Sequence, residues 1–340
     1  MASAALGFDQ EHYRRIQAGA IAAAAPIASA IDSLGERLRN VFFLGAGGAG
    51  YLMGPAADVL DSRSTIGCYH PLGAELVTRG SRQLGPGSLV VLPSLSGTTP
   101  DALDHLRYVR GRGAFVLALV GHADTQIADG ADAVVVNEAA DDTSSESFYL
   151  QSLLVSLTVM NRRGEYDPLT ATIDELAGLP DLLVSAKVDF EEAADRLAEQ
   201  LTAGGLHIFT GAGASWAEAR YFAMCILEEM QWIPTRPVHA SDFFHGTLEL
   251  VEEGVSVVAL KGSDPGRSIV ERVEAFCADH TDRLSVVDAA AVPLPGISAD
   301  VRALLTPVVL AALLERVAAQ VERRTGHPLT TRRYYRRMAY

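Results

Sequence analysis

A short apolar run that enters a glycine loop and continues into a helical segment occurs twice in this chain of 340 residues, at Gly45-Ala46-Gly47-Gly48-Ala49-Gly50 and again at Gly211-Ala212-Gly213. A second pair of loops, around Gly97 and around Gly262, repeats with a separation that agrees to within one residue. Two matching offsets mark an internal duplication, so the chain is built from two copies of one plan.

The plan itself is legible between the loops. Residues 41–44, 64–68, 89–92, 115–120 and 133–136 read as short buried strands separated by helical segments. After a long helix over 146–162 and a polar connection at 164–168 the pattern restarts, with strands at 206–210, 255–260 and 284–287, a helix running to about Met230 and another over 306–323. Continuous apolar strands alternating with helices predict parallel sheets covered on both faces. The expected fold is therefore α/β, with two duplicated doubly wound, flavodoxin-like parallel-sheet subdomains. A helical lead at 1–39 precedes a first subdomain at 40–168 and a second at 169–323, and a basic tail occupies 324–340. Ligands of such folds bind at the carboxyl ends of the strands.

At one such end lies Ser94-Leu95-Ser96-Gly97-Thr98-Thr99-Pro100-Asp101. A hydroxyl-rich, glycine-containing turn between strand and helix offers side-chain and backbone donors to an anion, with the positive end of the helix dipole behind them. The alternative is an ordinary Ser/Thr cap of the following helix.

Composition removes several classes of function. With 49% hydrophobic and 21% charged residues the chain reads as a soluble globular protein, and its net charge of −14 argues against sequence-independent nucleic-acid binding. An anionic ligand must then be attracted by local groups. Cys68, Cys225 and Cys277 are scattered without a CxxC pair, which suggests neither a disulfide framework nor a zinc site and fits a reducing cytoplasm. Asp9, Glu11, Arg14 and Arg15 precede an alanine run that reads as too short and too weakly apolar for a membrane helix, so neither a signal peptide nor a membrane span is expected.

Gly45-x-Gly47-x-x-Gly50 also matches the dinucleotide fingerprint. That fingerprint needs an acidic residue at the end of the next strand to hold the ribose hydroxyls, and the segment from Ser64 to His70 ends without one. No cofactor is expected, and no His/Glu cluster has metal-ligand spacing.

The hydroxyl loop, the duplication, Thr143-Ser144-Ser145-Glu146, Glu228-Glu229 and the later Phe243-Phe244-His245-Gly246 resemble the double-SIS-domain family of phosphosugar isomerases and deglycases. Within it the chain is similar to the isomerase half of glucosamine-6-phosphate synthase and to fructosamine-6-phosphate deglycases. The ending His327-Pro328-Leu329 through Arg332-Arg333-Tyr334 resembles the deglycase branch. The resemblance implies that Ser94, Ser96 and Thr99 hold the anionic group of a sugar, beside Gly47 and Gly48 of the first glycine loop, and that Ser144 contacts the sugar or its phosphate. It implies that Glu229 moves a proton between C1 and C2, and that His245, at the family's spacing from Glu229, assists ring opening or proton transfer to oxygen. It further implies a homodimer in which His245 reaches the active site of the neighbouring subunit, and a tail that closes over the sugar. Many relatives carry a hydroxyl residue in the first glycine loop where this chain has Gly47-Gly48-Ala49-Gly50, which leaves room for a sulfonate in place of phosphate.

The chemistry can be argued without the family. Aldose–ketose interconversion, or cleavage of a ketose–amine linkage, removes a weakly acidic C–H beside a carbonyl or iminium through an enediol or enolamine. A half-buried carboxylate suits the abstraction and an imidazole can shuttle the proton on oxygen. Each residue has a structural alternative: Glu228 and Glu229 as solvated carboxylates, His245 as a core histidine, His239 as structural or substrate-contacting, and Glu249 as an exposed partner of His245 one helical turn away. Arg332 and Arg333 belong to a tail with six arginines and no acid after residue 322, which would draw an anionic substrate or end in solvent. Isomerase and deglycase both remain open, as does a non-catalytic sugar-phosphate sensor. A sensor needs no acid–base pair.

Overall fold

The computed structural model describes residues 6–136, 139, 145–335 and 337–338. Among these residues the strands form two wholly parallel sheets. The first contains β1 (Asn40–Phe43), β2 (Gly67–Tyr69), β3 (Ser88–Ser94), β4 (Phe115–Val120) and β5 (Ala133–Val136) in the order β2-β1-β3-β4-β5. The second contains β6 (His207–Gly211), β7 (Thr235–His239), β8 (Ser256–Lys261) and β9 (Leu284–Asp288) in the order β7-β6-β8-β9. These are the same doubly wound order, the second sheet lacking a fifth strand, as duplication requires. The duplication extends to backbone angles: Gly47 has φ 54° and ψ −129°, and its counterpart Gly213 has φ 56° and ψ −134°.

The chain divides into two compact units, one of residues 11–180 with 296–304 and the other of residues 1–10 with 181–295 and 305–340. In the first unit Val90, Leu92, Val116, Ala118 and Val120 of β3 and β4 build one core with Leu106 and Val109 of the Pro100–Gly111 helix. The Glu146–Arg162 helix is buried at every position from Glu146 to Met160, packs on the Ala24–Leu34 and Gly54–Arg63 helices, and donates a hydrogen bond from Ser156 Oγ to Ala56 O at 2.7 Å. A helix buried all round is a core helix. In the second unit Val257 and Ala259 of β8 pack with Val270, Val273 and Cys277 of the Arg267–Ala278 helix and with Phe243.

Two strands depart from the sequence expectation. β2 starts later than residue 64 because Ser64 and Thr65 are drawn to Glu165, which accepts the Ser64 hydroxyl and, at 3.1 Å, the Thr65 N–H. Those bonds, Ser64's first, hold the Glu165 carboxyl down at about 2. β7 lies where the sequence analysis places no strand, since Thr235-Arg236-Pro237-Val238-His239 carries polar residues and a proline. It is the edge of its sheet, where a missing N–H is tolerated. By length and composition Gln10–Arg37 would suffice to cross a membrane, contrary to the sequence reading. In the fold it begins with two separate helices, Gln10–Ala22 and Ala24–Leu34, whose Ile16, Ala20, Ile27 and Ile31 are buried.

Candidate active site

In the first unit β1 and β3 are neighbours, and just past the end of β1 Leu44 N still donates to Val91 O at 3.0 Å. The glycine loop after β1 and the hydroxyl loop after β3 therefore leave the sheet side by side at its switch point, where the order of connections reverses. Topology thus brings Gly47, Gly48, Ser94, Ser96 and Thr99 to one end of one sheet. Gly45 and Gly50 are tightly packed: a Cβ on Gly45 would lie 2.4 Å from Gly50 N. Around Gly47 a Cβ would meet nothing within 4 Å, so that side of the loop is open.

The hydroxyls are not used as caps. Thr99 is the N-cap residue of the Pro100–Gly111 helix, yet its side chain accepts no capping hydrogen bond. It faces Ser96 Oγ at 3.3 Å, and the Thr98 hydroxyl and N–H also approach Ser96 Oγ, at 3.3 and 3.4 Å. Ser94 Oγ is buried without a hydrogen-bond partner. These hydroxyls cluster at the start of a twelve-residue helix, whose N-terminus favours an anion. Ser144 lies outside the described residues.

The duplicate loop in the second unit is closed by its own side chain. Asp264 Oδ1 accepts the Gly266 N–H at 2.9 Å, and a Cβ on Gly213 would lie 2.2 Å from that oxygen. Ser263 N is committed to Thr306 Oγ1 at 3.0 Å. A carboxylate therefore stands where the first unit presents hydroxyls, and it repels an anion. The two copies have diverged into one open loop and one plugged loop, a difference that the matching glycines did not reveal.

The second unit instead supplies the acid–base candidates. From β6 the chain passes Gly213 into the Ala214–Tyr221 helix, widens into a π-helical segment over Phe222–Glu228, and ends in the short turn Glu229–Gln231. Trp232 stops it with φ 57°, the sole positive φ outside glycine among the described residues. A π-helical segment shifts the residues after it around the helix axis relative to an α-helix, a device frequent at functional sites. Here it sets the direction of Glu228 and Glu229. Glu228 is exposed and accepts the Thr235 hydroxyl at 2.5 Å. Glu229 is half-buried, and its Oε1 accepts from Arg332 Nε at 2.8 Å. The two lie on a cavity of about 380 Å³ with Trp232, Ile233, Pro234 and the tail residues Arg332, Arg333 and Tyr334.

His245 is exposed on the 3-10 turn Phe243–His245 and does not line that cavity. Gly246, with φ 153°, separates this turn from the next, Thr247–Leu250, so no helical face pairs His245 with Glu249. His239 ends β7, where Nδ1 meets Ser241 Oγ at 2.7 Å and Trp216 packs edge-on at 5.4 Å. Those contacts leave the ring half-exposed. In the tail, Arg333 lies over the Trp232 ring at 4.1 Å, while Arg323 and Arg324 pair with Asp195. The charge that read as a free attractor is therefore largely engaged within its own unit.

The SIS domain profile matches residues 37–161. Over 314 residues the chain is 29% identical to the fructosamine deglycase of Bacillus subtilis, covering 91% of this chain and 95% of the relative. It is 25% identical over 296 residues to the fructoselysine 6-phosphate deglycase of Escherichia coli K12, covering 87% and 85%. A crystal structure of a Bacillus subtilis protein put forward as a phosphosugar isomerase superposes with a TM-score of 0.88 at 28% identity, over 94% of this chain and 99% of that one. Duplicated sheets of one strand order, the open hydroxyl loop at the switch point and likenesses that run nearly end to end agree: the chain carries an SIS domain and is similar over nearly its whole length to phosphosugar isomerases and deglycases.

Proposed function

We propose that this protein is a deglycase of fructosamine 6-phosphates, working by proton transfer between C1 and C2 of the sugar. The observation that carries the chemistry is Glu229, a half-buried carboxylate aimed by a π-helical segment and an arginine onto a cavity. Relatives that match nearly the whole chain favour release of an amine over simple isomerisation. Glu229 takes the proton from C1 of the ketose–amine, leaving an enolamine. Returning a proton to C2 gives the C1 imine, and water adds there to release the amine and an aldose 6-phosphate. Ser94, Ser96 and Thr99, with Gly47, Gly48 and Ser144, are assigned to the phosphate and sugar. Aldose–ketose isomerisation is the same proton transfer without the hydrolysis.

His245 is assigned to proton transfer on oxygen, from the other subunit of a homodimer. Its exposure, and its separation from the cavity that holds Glu229 of its own chain, support that assignment. His239 is left as a packing residue.

Glu229→Gln tests the reading directly. It should bind fructosamine 6-phosphate yet lose at least about 10²-fold in kcat, with solvent-deuterium exchange at C1 or C2 lost in parallel. Exchange at the wild-type rate would place the base elsewhere, with Glu228 next in line. Sharing of the site is tested by refolding Glu229→Gln together with His245→Ala: random pairing of a two-fold dimer makes half the dimers mixed, each with one intact site, so about a quarter of wild-type activity should return. Confirmed reassembly without activity would mean that both groups act within one chain.

A further inference from the structure

Arg332 had two expectations attached to it, a solvated end or an attractor for the substrate's anion, and the structure matches neither. Its side chain is only 11% exposed, and Nε donates to Glu229 Oε1 at 2.8 Å across a separation of 103 residues. Nη1 donates to Leu329 O at 2.6 Å and to Thr331 O at 3.2 Å, which fixes the guanidinium on its own turn. That turn is braced in turn. Gln231 Nε2 donates to His327 O at 2.7 Å, Thr325 Oγ1 to Gln231 Oε1 at 3.0 Å, and Leu329 N to Glu322 Oε1 at 3.0 Å. The His327 ring sits edge-on to Trp232 at 4.2 Å, with Arg333 over Trp232 as well. The segment that ends in Arg332 is thus clamped to the residues immediately following Glu229.

We propose that Arg332 is a positioning residue for the catalytic base: it holds the Glu229 carboxylate in one orientation, and it is not a ligand of the substrate's phosphate. The inference rests on Glu229 being that base. A half-buried ion pair adds little net stability once desolvation is counted, so the effect of this one lies in where the carboxylate points. Arginine suits the task because its planar fork is always charged, weakly hydrated and geometrically exacting. A lysine would supply the charge without the fork. Glutamate at a helix end otherwise exchanges among rotamers, and misplacing a reacting group by about 1 Å can cost on the order of 10²-fold in rate.

The test is the split between kcat and KM for fructosamine 6-phosphate. Arg332→Ala should lower kcat by roughly 10- to 100-fold while KM stays within about 3-fold, and the rate of solvent-deuterium exchange at C1 should fall with kcat. Arg332→Lys should recover part of kcat. Millimolar guanidinium should raise kcat of Arg332→Ala and leave the wild type unaffected. A rise in KM with kcat unchanged would make Arg332 an anion ligand, and no change in either would make the pair merely structural; both outcomes overturn the proposal. If Arg332→Ala fails to fold by circular dichroism, Arg332→Lys decides by the same split. Glu229→Gln is measured alongside. Should it keep exchange, the base assignment fails first. Should it lose exchange while Arg332→Ala keeps it, the role of Arg332 alone is refuted.

Discussion

Gly97 sits at the centre of the hydroxyl loop, and Gly97→Ala probes whether that loop is held by backbone geometry. Its φ of +61° lies in the left-handed region, and its N–H and C=O are both used, donating to Ser94 O at 3.2 Å and accepting from Ile127 N at 3.3 Å. An alanine methyl would lie 2.2 Å from Thr125 Oγ1, 2.4 Å from its Cβ and 2.7 Å from its Cγ2. The left-handed backbone costs a non-glycine residue about 1–2 kcal/mol, and overpacking adds about 1–3 kcal/mol, because β-branched Thr125 has little rotamer freedom to yield. The substitution should therefore destabilise by about 2–5 kcal/mol in urea titrations. Thr125 caps the Gln126–Gly130 helix by accepting from Ala128 N, and a glycine at an N-cap costs only a few tenths of a kcal/mol. In the double variant with Thr125→Gly the steric part should vanish, leaving about 1–2 kcal/mol from the backbone. A Gly97→Ala cost below about 1 kcal/mol, or strict additivity of the two changes, would refute the reasoning.

Ser96→Ala or Thr99→Val should raise KM for the phosphorylated substrate roughly 10- to 100-fold, since charge-assisted hydrogen bonds contribute about 1.5–3 kcal/mol each, and should affect the unphosphorylated sugar much less. Equal losses on both would make the loop structural. His207 is fully buried, with Nδ1 against Ser256 Oγ at 2.8 Å, and burial pushes its imidazole down to about 4. A depressed histidine favours the fold while neutral, so its contribution is complete above pH 6.5, the ordinary histidine value, and is lost as pH falls toward 4. Over that window wild-type stability should decline more steeply than that of His207→Gln, by at most about 1.4 kcal/mol per pH unit, and parallel curves would count against the assignment.

Much of the scaffold follows from local pattern. β4, buried on both faces, is a continuous apolar run and lies where that run puts it, as does the more exposed β5, and the Glu146–Arg162 helix has the bounds its composition predicts. The duplication was equally visible, because glycine is required wherever φ is near +55°, as at Gly47 and Gly213. What local pattern could not carry depends on partners far along the chain. β7 is a strand because β6 offers it an edge, despite Pro237. The π-helical segment has no periodicity of its own, and it packs on β7 and the Thr306–Thr325 helix with Phe222, Ile226 and Leu227 buried. Asp264 fills the loop that its glycines advertised as open, and Arg332 meets Glu229 only because the tail folds back onto the end of the Glu229 turn. Propensity and periodicity act between near neighbours, whereas the pairing of two charges distant in sequence is decided by the packed chain that brings them together.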